Sequence, residues 1–142
     1  MRLSSACTWA LLLSTAMLAS TKRPEVYSDC GGVFTNITGR FYNYIGPETL
    51  CVWTIQLNPG HKILLALPYV SLNCKKEYLV IYDGPLGSDN YEKVCYELSL
   101  FHRSSSNVMT IKYSREPSHP ATFFEVYYFG ETNGFSSLLD HQ

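Results

Sequence analysis

The chain of 142 residues predicts an all-β domain, a two-sheet β-sandwich clamped by two disulfides. Three observations carry this. Short runs alternate between apolar and polar residues, as strands with one buried face require. Tyrosine (11) and phenylalanine (7) are abundant while charged residues make up only 16%, a bias that suits half-buried strand surfaces. Cys30, Cys51, Cys74 and Cys95 recur at nearly even intervals behind an apolar leader, the pattern of a small exported domain.

The leader spans 1–20. Arg2 supplies a positive start, Trp9 to Leu13 with Ala16 to Leu18 form an apolar centre, and Ala19 and Ser20 offer small residues for cleavage. That centre is too short for a permanent membrane anchor. Cys7 lies within the leader, so five cysteines become four in the mature chain. Lys22-Arg23 offers a dibasic trimming site or simply a solvated start. The remaining chain, about 120 residues, suffices for one domain with its own core.

The clearest strand is Cys51 to Leu57, with Cys51, Trp53, Ile55 and Leu57 on one face and Thr54 and Gln56 on the other. Trp53 is the expected central plug of the core. Asn58-Pro59-Gly60 ends this strand with a turn, and Ile63 to Val70 resumes the alternation, so the two segments read as a hairpin. Pro68 marks a bulge, an edge or the strand's end. Tyr78 to Tyr82 is almost wholly apolar and reads as a strand covered on both faces, closed by Asp83-Gly84-Pro85. Further strands are expected over Lys93 to Tyr96, Val108 to Tyr113 and Phe123 to Phe129. Seven or eight such strands, with turn signals every dozen residues and no helical period after the leader, make a sandwich. Four cysteines allow three pairings, and counting alone does not choose among them.

Taken together, Cys30-Gly-Gly-Val-Phe34, Gly39-Arg-Phe41, Cys51-Val-Trp53-Thr-Ile55, Cys74 with Glu77-Tyr78-Leu-Val-Ile-Tyr-Asp83-Gly84, Cys95, Ser104-Ser-Ser-Asn107-Val-Met109-Thr-Ile111 and Phe124-Glu-Val126-Tyr-Tyr128 resemble the CUB domains of extracellular proteins. The resemblance implies a jelly-roll-like sandwich over 30–130, with a short segment 21–29 before it and a polar tail 131–142 after it. It also implies neighbour pairing, Cys30 with Cys51 and Cys74 with Cys95. A single such unit is similar to the spermadhesins of seminal fluid, and Gly31 to Gly39 is similar to the units of the mucosal glycoprotein deleted in malignant brain tumours. Both imply secretion and a ligand that is an extracellular protein or a carbohydrate.

Many family members bind calcium through three acidic positions, which fall here on Asn73, Glu77 and Arg115. Calcium takes several oxygen ligands, and a guanidinium has no lone pair to give. One surviving acid predicts no metal and no other cofactor. Asn36-Ile-Thr38 is an acceptor triplet for an N-linked glycan at Asn36. His61, His102, His119 and His141 stand singly in turn or tail segments, without a nucleophile or zinc motif, so no catalytic residue is expected and a secreted hydrolase is the weakest reading.

The formal net charge of −1 argues against nucleic acid, and no later run is long and apolar enough for a membrane span. Lys75-Lys76 and His102-Arg103 are short basic pairs, suited to an anionic glycan or to plain solvation. Tyr42, Tyr44, Tyr91, Tyr96 and Tyr127 are available for contact or for core packing. The leading expectation is a non-catalytic recognition module. The alternative is an abundant, self-associating carrier, which predicts a large apolar patch on one sheet and a homo-oligomer.

Overall fold

The computed structural model describes residues 28–132. The leader, Cys7, Lys22-Arg23, His141 and most of the polar tail therefore lie outside the described residues.

Among the described residues nine strands follow one another: β1 Gly32–Phe34, β2 Thr38–Tyr42, β3 Leu50–Gln56, β4 His61–Ser71, β5 Glu77–Tyr82, β6 Tyr91–Val94, β7 Tyr96–Arg103, β8 Val108–Arg115 and β9 Glu125–Thr132. They form a five-stranded sheet in the order β1-β3-β8-β5-β6 and a four-stranded sheet in the order β2-β9-β4-β7. Every pairing is antiparallel except β1 with β3.

The strand limits largely follow the alternation, but the hairpin expected from Cys51 to Val70 is not formed. β3 pairs with β1 and β8 in one sheet, whereas β4 pairs with β9 and β7 in the other. Asn58-Pro59-Gly60 therefore crosses between layers. Alternation specifies which face of a strand is buried, and both strands bury their odd residues in the same core; it does not say which neighbour supplies the hydrogen bonds. The strand expected over Lys93 to Tyr96 is likewise two strands. β6 ends at Val94 in the first sheet, and β7 begins at Tyr96 in the second. Cys95 is the corner between them.

Pro68 sits within β4 at an irregularity. The register with β7 passes from Leu67↔Leu100 to Tyr69↔Leu98, leaving Pro68 opposite Ser99, whose φ of 55° is left-handed. Pairing of β4 with β9 ends at Ala66, so Pro68 falls where one side of the strand is open and its missing N–H costs no ladder bond.

The core lies between the sheets. Trp53 is fully buried and its indole Nε1–H donates to the Asp29 carbonyl at 3.1 Å. Around it runs a line of aromatic contacts: Phe34 to Phe41 at 5.0 Å, Phe41 to Trp53 at 5.1 Å, and Phe124 edge-on to Trp53 at 6.3 Å. Such pairs add roughly 0.5–1.5 kcal/mol each beyond the area they bury. The aliphatic remainder comes from Ile63, Leu65 and Leu67 of β4 facing Leu79, Ile81 and Ile111.

Two disulfides join Cys30 to Cys51 and Cys74 to Cys95, each across 21 residues. The first ties the approach to β1 onto β3, and the second ties the β4–β5 turn to the corner between sheets.

Candidate functional site

At one end of the sandwich the chain gathers Asn73, Glu77 and Arg115. Glu77 opens β5 and Arg115 closes β8, and the two are cross-strand partners. Glu77 is only 1% exposed. Its carboxylate accepts hydrogen bonds from the Tyr113 hydroxyl, the Thr122 hydroxyl and the Asn73 amide, while His119 Nε2 approaches to 3.3 Å. Burial alone raises the carboxyl's pKa, but the hydrogen bonds from Thr122, Tyr113, Asn73 and His119 outweigh it, and the net shift is downward. Burial, reinforced by the Glu77 carboxylate, pushes the Tyr113 phenol upward.

Arg115 turns its guanidinium onto three backbone carbonyls, those of His119 at 2.5 Å and of Gly46 and Glu48 at 2.9 Å. Asn73 shapes the preceding turn: its side-chain oxygen accepts from Lys75 N–H and its carbonyl from the N–H groups of Lys76 and Glu77. The three positions are thus brought together as a hydrogen-bonded lock. They do not fit a calcium ion, because both Glu77 oxygens already accept from hydroxyls and Arg115 offers a positive charge instead of a ligand. Among the described residues no group of three His, Cys, Asp or Glu side chains converges as a metal site.

Among the described residues the other two histidines sit apart, and both belong to strands where turns were expected. His61 opens β4 and approaches the Asn58 carbonyl, and His102 lies within β7, 3.5 Å from Glu92. Of the basic pairs, Arg103 is held by Glu131 and Lys76 by Glu116, each at 3.1 Å. Asn36 is exposed in the turn between β1 and β2, whose backbone is fixed by the Tyr128 hydroxyl donating to the Asn36 carbonyl at 3.0 Å.

The two outer faces differ in character. On the five-stranded sheet, Tyr78, Val80 and Tyr82 of β5 point outward beneath Lys93 and Lys112. With Tyr91 they line a groove of about 430 Å³, within the range of small-ligand sites. A second hollow of about 350 Å³ adjoins it, sharing Tyr78 and Lys93 and reaching Lys75 and Lys76. Residue-by-residue reading named Tyr91 and Lys75-Lys76, but missed Tyr78, Tyr82, Lys93 and Lys112. The available signal was the alternation of β5 itself, which sends Tyr78 and Tyr82 to the side opposite Leu79 and Ile81.

The four-stranded sheet has an apolar outer face. Tyr69, Tyr96, Leu98, Phe101 and Phe129 are 46–66% exposed there. Of the remaining tyrosines, Tyr42 stacks on Phe123, Tyr127 donates to Glu125, and Tyr44 packs against the core. Arg40 lies over the rings of both Tyr42 and Tyr127.

With the two layers of strands and this pattern of bridges in place, comparison with known proteins defines the class. The CUB domain family model matches residues 30–128, and the chain belongs to that family. Within it, the chain is 52% identical to a human CUB domain-containing protein over 91% of this chain and 95% of the relative. It is 44% identical to the pig major seminal plasma glycoprotein PSP-I, over 94% of this chain and all of the relative. Identity is also 44% to the pig carbohydrate-binding protein AWN, covering 88% of this chain and 82% of the relative. Among solved structures, the extracellular region of zebrafish Gpr126/Adgrg6 shares the fold with a TM-score of 0.62 and 22% identity, over 74% of this chain and 15% of that one.

Proposed function

We propose that this protein is a secreted, non-catalytic recognition module for extracellular carbohydrate that works without calcium. The observation that carries the reading is the outward tyrosine and lysine groove of the five-stranded sheet, whose tyrosines and lysines stand on strands and whose rim is the β5–β6 loop. The exposed ring of Tyr91 offers a face to the apolar side of a sugar, while Lys93 and Lys112, lying over the rings of Tyr78 and Tyr82, supply polar contacts. A relative named as a carbohydrate-binding protein and another named for seminal plasma support the ligand class and the secretion. The apolar leader agrees with export, and Asn36, exposed in its turn, suits an N-linked glycan. Glycosidase treatment of the natural protein is expected to lower its mass.

The deciding experiment is glycan-array binding of the oxidised protein with and without chelator. Binding to defined glycans that chelator leaves unchanged supports the reading; an empty array overturns it. Calcium titration by calorimetry is expected to show no site tighter than millimolar.

A second reading, self-association, is favoured by the apolar outer face of the four-stranded sheet. Five large exposed apolar side chains on one face exceed the scattered exposure normal for a monomer. Sedimentation at two protein concentrations tests it.

A further inference from the structure

The turn that carries the Asn36-Ile-Thr38 acceptor triplet also walls a hollow at one end of the sandwich. Thr35, Asn36 and Ile37 line one side of it, and Leu57, Asn58 and His61 the other. Its volume is about 280 Å³, just below the roughly 300–1,000 Å³ of drug-sized sites, which suits one ring rather than a chain of them.

Both walls are fixed by hydrogen bonds. The Gly130 N–H donates to the Ile37 carbonyl at 2.6 Å and the Tyr128 hydroxyl to the Asn36 carbonyl at 3.0 Å, so β9 holds the acceptor side. On the other side Asn107 spans Leu57: its carbonyl accepts from the Leu57 N–H at 2.9 Å, and its side-chain amide donates to the Leu57 carbonyl at 2.7 Å. The His61 N–H and ring Nδ1 both meet the Asn58 carbonyl, at 3.3 and 3.1 Å. The hollow is therefore formed before anything enters it, and filling it orders little further chain.

Its lining is part apolar and part polar. Ile37 and Leu57 close over Gly130, where an added methyl would meet Ile37 Cγ1 and Leu57 Cδ1, each at 2.8 Å. Ile37 is nevertheless 53% exposed, a large apolar side chain left open beside the acceptor asparagine. Around it Thr35, Asn58 and His61 supply a hydroxyl, an amide and an imidazole.

We propose that the hollow seats the first sugar of an N-linked glycan on Asn36, an N-acetylglucosamine whose apolar ring face lies on Ile37 and Leu57 and whose polar groups meet Asn58 and His61. The sugar is joined to a residue of the wall itself, so its effective concentration there exceeds that of any free ligand. It also takes the open surface of Ile37 out of water, so the glycosylated fold is the more stable one. The inference rests on the reading of Asn36 as glycosylated and not on what the outer faces bind.

The test uses full-length protein secreted by glycosylating cells, melted in three forms: with the whole glycan, trimmed by an endoglycosidase to one N-acetylglucosamine, and as Asn36→Gln. The whole and trimmed forms are expected to melt together, with Asn36→Gln about 3–6 °C lower. Ile37→Ser keeps the acceptor triplet and is expected to narrow that gap to about 1 °C or less. NMR of the trimmed form, a readout that depends on no variant folding, is expected to show contacts from the sugar to Ile37 and Leu57. A trimmed form that melts closer to Asn36→Gln than to the whole form overturns the proposal. So does an attached sugar without those contacts, or residues of 133–142 found in the hollow in its place. A natural protein whose mass does not fall on glycosidase treatment removes the glycan reading and this inference together, and leaves the carbohydrate-recognition reading standing.

Discussion

Glu77 shows how one side chain can close off a site. Its charge is stabilised by hydrogen bonds that hold only in the fold, so its pKa is depressed relative to the unfolded chain. The folded state is then favoured above the unfolded value of about 4.3, and this contribution is lost as pH falls through the lower folded value. Stability is expected to decline below about pH 4. Glu77→Gln is expected to cost about 1–3 kcal/mol at pH 7, with the gap to native narrowing at pH 3, as read by urea unfolding at both values. Arg115 plays the complementary part, since its guanidinium satisfies carbonyls from two separate loops. Arg115→Met strands those carbonyls and is expected to destabilise by about 2–4 kcal/mol in the same assay, without creating a calcium site. The family resemblance placed two non-acidic residues, Asn73 and Arg115, beside Glu77 at its three calcium positions. It did not show that the replacements and the surviving acid are joined in one lock, because Tyr113, Thr122 and His119 reach Glu77 from 36, 45 and 42 residues away.

At the scale of elements, the strands were legible and their partners were not. Each alternating run became a strand, yet the apparent hairpin between β3 and β4 proved to be a crossover, and the single strand expected over Lys93 to Tyr96 split between sheets at Cys95. Both errors have one cause: a buried face on a strand is a local property, whereas an edge partner is chosen by the whole sheet. The irregularity at Pro68 was anticipated, but its counterpart was invisible, since nothing local requires Ser99 to be left-handed. A β-branched residue resists that conformation more strongly than serine, and glycine accepts it freely. Ser99→Val is therefore expected to lose about 1–2 kcal/mol, and Ser99→Gly to gain up to about 1 kcal/mol, both by thermal melting.

For the molecule as a whole, two covalent links and two unlike outer faces define its behaviour. Each bridge closes a 21-residue separation and is expected to contribute roughly 3 kcal/mol. Reduction should shift the urea midpoint accordingly, and substituting one pair by alanine should reproduce about half of the loss. The apolar face of the four-stranded sheet predicts reversible self-association. Phe101→Lys, at a side chain 66% exposed, is expected to hold the protein monomeric at concentrations where the native chain associates, measured by sedimentation velocity.

The sequence determined the class: alternation fixed the β character, cysteine spacing with the leader pointed to a small exported domain, and the combined motifs supplied the family and its bridge pairing. Trp53 was recognisable as the core's centre because a tryptophan on a buried strand face has few other places to go. Only the tertiary structure decided which strands share a sheet, which lysines lie over the rings of Tyr78 and Tyr82, and which sheet face is apolar. Those are relations among residues distant in the chain, set by the register in which whole strands pair, and no local pattern of side chains encodes them.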